Sequence, residues 1–242
     1  MQNTAFIEEL KQLIDEKHLL KHPFYRMWEE GSLPIEVMRK YAEQYYHLES
    51  NFPLFLSIMH TRCSDKFDVR QEIVENLHDE EYGDENHREL WLRYAESIGA
   101  KREDAINSQI DEETETSVNT FKNLSAHHFL AAAGALAAYE SQMPPVSDSK
   151  IKGLKEHYGI TDPRGLKFFE VHGVLDIEHA DSWWRIIDKY ADSEEIKDMV
   201  RDSVIKGRDA LWGFLDGICK NYMPPQFKNK IAALYKEAEA IA

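Results

Sequence analysis

The chain is poor in glycine (11) and proline (8) for its 242 residues, and it has two cysteines, Cys63 and Cys219. So few breakers exclude a loop-rich or collagen-like fold and leave room for long helices. Two cysteines make no disulfide framework and suit a reducing compartment. Long apolar runs are missing too, with nothing approaching the roughly 20 residues that span a bilayer. The start, Met1-Gln2-Asn3-Thr4, has neither the basic residues nor the apolar stretch of a signal peptide. Positive charge is also scarce. Against 44 Asp and Glu there are 29 Lys and Arg, a net charge of −15, with no basic cluster to attract a phosphate backbone. These absences predict a cytoplasmic protein with no nucleic-acid partner and no membrane partner. What is abundant is apolar material, 43% of residues, enough for one sizeable core.

Helical periodicity runs through the chain, and no alternating strand pattern stands out. A first helix is expected from about Thr4 to Leu20, broken by His22-Pro23-Phe24-Tyr25. Gly31-Ser32-Leu33-Pro34 signals the start of a second, reaching about Cys63 with a kink at Pro53. A third is expected from Asp68 to Ile98, stopped by Gly99, then a polar outer helix from Glu103 to Asn123. Ala126 to Met143 reads as an alanine-rich interior helix ended by Pro144-Pro145. Ser147-Asp148 offers a cap for a short helix to Tyr158. Leu166 to Tyr190 and Ser193 to Tyr222 read as long helices, and Pro224-Pro225 precedes a terminal one. The expectation is one all-α domain, residues 1–242, of eight or nine helices.

Chemistry enters with His172-x-x-x-Asp176-x-x-His179. The i, i+4, i+7 spacing puts all three on one helical stripe, which continues to Trp183. Apolar Val171, Val174, Leu175 and Ile177 flank that stripe, which argues that it is buried, and buried polar groups need partners. A metal ion would serve three at once; the bland alternative is a solvated face. Glu80 and His87, seven apart, share a face of the third expected helix, with Glu81 and Asp84 as rivals among its many acids. Glu140 ends a nearly apolar run, Leu130 to Tyr139, where a carboxylate is costly without a cation unless it reaches water. Mixed oxygen and nitrogen donors suit iron and manganese. Three carboxylates would leave two divalent ions with a surplus positive charge. The paired Glu-x-x-His motifs of ferritin-like bundles are not the pattern here.

The set Glu80, His87, Glu140, His172, Asp176 and His179 resembles the ligand pattern of the haem-oxygenase-like dimetal oxidases. It is most similar to the subgroup that includes the chlamydial protein associating with death domains, and the similarity covers nearly the whole chain. The pyrroloquinoline-quinone synthases and thiaminase-like relatives share that fold but lack the full ligand set. The resemblance implies a haem-oxygenase-like bundle and two divalent metal ions, iron and/or manganese. It also implies dioxygen and an external reductant as co-substrates, with p-aminobenzoate for folate as the product. In that subgroup the protein is its own substrate: a tyrosine side chain is cleaved off and a lysine supplies the amino group. The matching positions are Tyr25 and Lys150, with Tyr41 and Tyr139 matching other tyrosines near the site. On their own, Tyr25 reads as a half-buried cap between helices. Lys150 reads as a surface lysine in a first turn, with Lys152 and Lys155 as look-alikes. Helices of this fold often pair into homodimers. Three other readings compete: an oxidase of an external amino acid or fatty acid, an interaction module without catalysis, and a metal store or sensor.

Overall fold

The computed structural model describes residues 3–241. They form twelve α-helices and two 3-10 turns, with no strand among the described residues. The first half holds α1 (Thr4–Glu16), α2 (Pro23–Glu29), α3 (Ile35–His60), α4 (Phe67–Glu81), α5 (His87–Ser97) and α6 (Arg102–Ile106). The second holds α7 (Glu112–His127), α8 (Phe129–Glu140), α9 (Met143–His157), α10 (Pro163–Tyr190), α11 (Glu194–Tyr222) and α12 (Lys228–Ile241). Among the described residues no helix is long and apolar enough to cross a membrane.

The count exceeds eight or nine because several expected helices are divided. Pro23 begins α2 instead of merely breaking the chain: its missing N–H costs nothing in a first turn, and the His22 ring caps the turn by accepting from the Phe24 N–H at 3.0 Å. The same logic places Pro144 and Pro145 inside the first turn of α9, where they were expected to end a helix, so Ser147-Asp148 is not a cap. The expected helix from Asp68 to Ile98 is cut after Glu81, and Gly83 takes a φ of +85°, a conformation side chains resist. The polar segment from Glu103 is two helices, and α7 is not an outside helix all round, since it buries Val118, Phe121 and Leu124.

At the centre lies α8, all twelve of whose residues are buried. It is hydrophobic on every side, as only an interior helix can be. It packs against α7, α10 and α11. One hydrophobic cluster joins residues from Phe6 of α1 to Leu234 of α12. Helix α3 runs unbroken through Pro53, whose missing N–H leaves the Glu49 carbonyl, four residues back, without its usual helical partner.

Candidate metal centre

The middle of helix α10 inverts the usual pattern, although its two ends bury Leu166, Phe168, Phe169, Ile186 and Ile187. His172, Asp176, His179 and Trp183 are buried, while the apolar neighbours Val174 and Ile177 are 63% and 52% exposed. An ordinary soluble helix hides its aliphatic residues. Here the stretch from His172 to His179 gives its interior positions to donors. Glu140 meets them from the C-terminal end of α8, and it does not reach water. A carboxylate at the negative end of a buried helix is disfavoured twice, by desolvation and by the dipole.

Glu80 and His87 also converge, but not through the i, i+7 geometry expected of one helix. The break at Tyr82–Asn86 folds α5 back, so that His87 Nδ1 lies 2.9 Å from Glu80 Oε2. Glu80 is buried, whereas the rivals Glu81 and Asp84 are exposed.

The donors form two triads. Glu140, Asp176 and His179 offer ligand atoms all within 4.8 Å of one another. Glu49, His87 and His172 do the same. Glu49, on α3, went unnoticed in the sequence, although the argument that selected Glu140 applies to it. It sits in the apolar stripe of Tyr41, Tyr45, Leu48, Phe52 and Phe55, and it is 4% exposed. With it there are four carboxylates, so the surplus positive charge expected from three disappears.

Four of these donors hold buried polar atoms that take no hydrogen bond: Glu49 Oε1, His87 Nδ1, Asp176 Oδ2 and His179 Nδ1. The 2.9 Å approach of His87 to Glu80 is thus an ion pair without the alignment of a hydrogen bond. His179 Nδ1 stands 3.7 Å from Glu140 Oε1 and 3.8 Å from Asp176 Oδ1. Two metal–ligand bonds of roughly 2.0–2.2 Å leave donors about 3–4 Å apart, so these gaps fit a shared cation. The outer nitrogens are anchored. His172 Nδ1 donates to the Phe168 carbonyl at 2.8 Å, which leaves Nε2 as its free donor, and His179 Nε2 pairs with Asp79 Oδ2 at 3.2 Å. Glu140 accepts from Asn76 Nδ2 at 2.9 Å and from Trp183 Nε1.

Burial pushes the carboxyls of Glu49, Glu140 and Asp176 upward, with neighbouring carboxylates adding for each. Burial and the neighbouring His87 hold His172 well below the ordinary histidine range. Burial opposes charge on His87 most strongly, but the carboxylates of Glu80, Glu49 and Asp176 together outweigh it and raise that ring. A metal ion would relieve all of these at once, and the donor set of four carboxylates and three imidazoles fits a pair of divalent ions.

Beside the triads lies a second buried polar group. Tyr25 of α2, Tyr41 of α3 and Lys150 of α9 are all buried, so Tyr25 is no half-buried cap and Lys150 no surface lysine. Lys152 and Lys155 are exposed. The contact is set by Gly153, where a Cβ would come within 2.6 Å of the Trp28 ring. Its absence lets α9 lie close on α2. Lys150 Nζ donates to Tyr41 Oη at 2.7 Å, and Tyr41 Oη is 3.5 Å from Tyr25 Oη. The amine sits 5.4 Å from the Tyr25 ring centre, 5.1 Å from Tyr41, 5.4 Å from Tyr45 and 5.0 Å from Phe169. Desolvation pushes the Lys150 amine down to about 7, with the Glu49 carboxylate opposing. Tyr139 does not join Tyr25 directly. Its hydroxyl meets that of Tyr45 at 2.6 Å, and the Tyr45 and Tyr41 rings are 5.5 Å apart. Aromatic packing is continuous from His172 through Phe168, Trp91 and Tyr41 to Phe24 and Tyr25.

Comparison with known proteins agrees with this architecture. A family model described as an iron-containing redox enzyme matches residues 39–212. A 4-aminobenzoate synthase of Nitrosomonas europaea is 41% identical, over 92% of this chain and 94% of that protein. A 4-aminobenzoate synthase of Chlamydia pneumoniae is 38% identical, over 91% of this chain and 98% of that protein. In structure, a domain with a heme oxygenase-like fold from Shewanella denitrificans superimposes with a TM-score of 0.78 at 20% identity, covering 97% of each chain.

Proposed function

Because the chain belongs to the iron-containing redox enzymes of haem-oxygenase-like fold, an oxidoreductase family, we propose that it makes 4-aminobenzoate, the p-aminobenzoate of folate, from its own Tyr25. Lys150 supplies the amino group. Glu49, Glu80, His87, Glu140, His172, Asp176 and His179 hold two divalent ions. When bound, two iron or manganese ions supply the oxidising power of dioxygen, with electrons drawn from an external reductant.

The chain's own groups are arranged for the rest. Tyr25 is neutral, since burial raises its phenol well above the usual range, and it is fixed against Phe24 and Tyr41. Lys150 holds a proton with reluctance, and as the free amine it is a nucleophile. The Tyr41 hydroxyl stands between them, accepting from Lys150 Nζ and lying 3.5 Å from Tyr25 Oη, so it holds the amine beside the phenol. The Tyr45–Tyr139 hydroxyl pair is separate from this group, reached from Tyr41 through ring packing and ending at the residue before Glu140.

The observation that carries the reading is Lys150. A fully buried amine whose hydrogen bond goes to a phenol, with no carboxylate bonded to it, is expensive to keep, and a structural role would be filled better by an aliphatic residue. One feature favours a second reading, oxidation of an external small molecule: an opening of about 240 Å³ reaches Glu49 and Glu80 from the surface. Labelling separates the two. Protein grown with ring-labelled tyrosine, then given metal, reductant and dioxygen but no substrate, is expected to release labelled 4-aminobenzoate, at most about one per chain. Unlabelled product, or product only on addition of a small molecule, would assign the opening to a substrate.

A further inference from the structure

A second surface depression, of about 300 Å³, lies between α4 and α10. Five carboxylates line it, those of Glu72, Glu75, Asp79, Glu178 and Asp181, against one arginine, Arg185. Glu72 is tied to Arg185 at 3.2 Å, and Asp79 to His179. Among the described residues, Glu75, Glu178 and Asp181 take neither an ion pair nor a hydrogen bond, and all three are exposed. Such clusters are common on acidic proteins, so acidity alone says little.

The lining closest to the centre says more. Asn76, 2% exposed, lines the depression; its Nδ2 donates to Glu140 Oε1 at 2.9 Å, and its Oδ1 has no partner. A buried amide oxygen without a hydrogen bond is a standing cost that an arriving cation would cancel. His179 also lines the depression. Its Nε2 faces Asp79, while its Nδ1 faces Glu140 and Asp176. One side chain therefore separates the acidic surface from the Glu140 triad at two points. The 240 Å³ opening beside Glu49 and Glu80 differs: apart from those donors, it sets Glu81 against Arg88, with no excess of charge.

We propose that the acidic depression is the port through which divalent cations load the centre. It is a transient site where a hydrated iron or manganese ion is held by carboxylate oxygens and the Asn76 amide oxygen before reaching Glu140, Asp176 and His179. Hard divalent cations keep their water and favour such oxygen ligands, and a cleft of one sign concentrates the opposite ion. The inference rests on the reading of the triads as metal ligands. The experiment separates the two claims.

Metal-free protein is mixed with Mn(II), and uptake is followed by loss of the free-ion paramagnetic signal, with metal analysis at the end point. The test variant is the triple substitution Glu75→Gln, Glu178→Gln and Asp181→Asn, which alters exposed residues outside both triads. It is expected to reach the same two ions per chain as the unmodified protein, on the order of tenfold more slowly at low ionic strength. That difference should shrink at about 0.5 M salt, where exposed charges are screened. Glu81→Gln, in the other opening, should load at the unmodified rate. The port is wrong if the triple variant loads as fast as the unmodified protein, if its defect persists unchanged at high salt, or if Glu81→Gln is slowed as much. An unmodified protein that ends without two ions refutes the metal centre itself, whatever the rates.

Discussion

The donor cluster leaves Glu49 Oε1, His87 Nδ1, Asp176 Oδ2 and His179 Nδ1 without hydrogen bonds, while the neighbouring hydroxyls of Tyr25, Tyr41, Tyr45 and Tyr139 are bonded to one another or to Lys150. Both regions are buried in the same core. The first is incomplete in a way that a cation completes. The second is complete as it stands, except that its one amine is held against its charge. An unsatisfied cluster waits for a ligand from outside, and a satisfied one whose members are chemically poised is a candidate for the reactant itself.

The largest effects should come from breaking the satisfied region. Tyr25→Phe is expected to abolish 4-aminobenzoate, measured by chromatography after a single reaction cycle, with both metals still bound. Lys150→Ala should do likewise, and Lys152→Ala, at an exposed position, should leave the yield unchanged. Product from Tyr25→Phe would return the ring to an external source.

Breaking the unsatisfied region should act through metal content. The pair His172→Ala and His179→Ala removes one imidazole from each triad and should take occupancy below two ions per chain by elemental analysis. Full occupancy in that variant would overturn the ligand assignment. The unmodified protein should also unfold at a higher temperature with metal than without. A ligand at about 100 times its Kd adds on the order of 2.7 kcal/mol. Trp183→Phe removes the indole N–H given to Glu140 and leaves a smaller aromatic ring in its place. It should weaken binding by about 10–100-fold, as losses of outer partners do, without abolishing it.

The smallest effect sharpens the boundary between the regions. Lys150 has its amine lowered from 10.5 to about 7, so the free amine dominates above that pH and the ammonium below it. Product formation at fixed metal content should fall about tenfold per unit as pH drops below about 7. The stability linkage runs the same way. Between about 7 and 10.5 the unfolded chain binds the extra proton, so this residue's penalty is full below 7 and fades as pH rises. Lys150→Met should flatten that rise in thermal unfolding experiments.

How much of this could be read from the chain follows from which signals are local. The α10 stripe is visible because three donors share one helix at helical spacing, and Glu140 because its apolar run is contiguous. Glu49 hides because its apolar neighbours Tyr41, Tyr45, Leu48, Phe52 and Phe55 are spaced along one face of α3 and not contiguous, and its burial depends on α5 and α8 closing over that side. The Glu80–His87 pair is legible as residues but not as geometry, since the turn around Gly83 brings them together and not a shared helix face. Tyr25 and Lys150 carry no local mark. Their contact exists because Gly153 lets α9 close on Trp28, a tertiary fact that only the resemblance anticipated. The helix count exceeds the expectation because Pro23 opens α2 and because the turn at Gly83 and the break after Ile106 each divide an expected helix.

If the buried donors and the buried tyrosine belong to one reaction, the peptide containing Tyr25 carries its mark. After metal-loaded protein has reacted with dioxygen and reductant, the mass of that peptide should be lower by the tyrosine side chain, in proportion to the 4-aminobenzoate released. An intact Tyr25 peptide recovered alongside several turnovers per chain would contradict it.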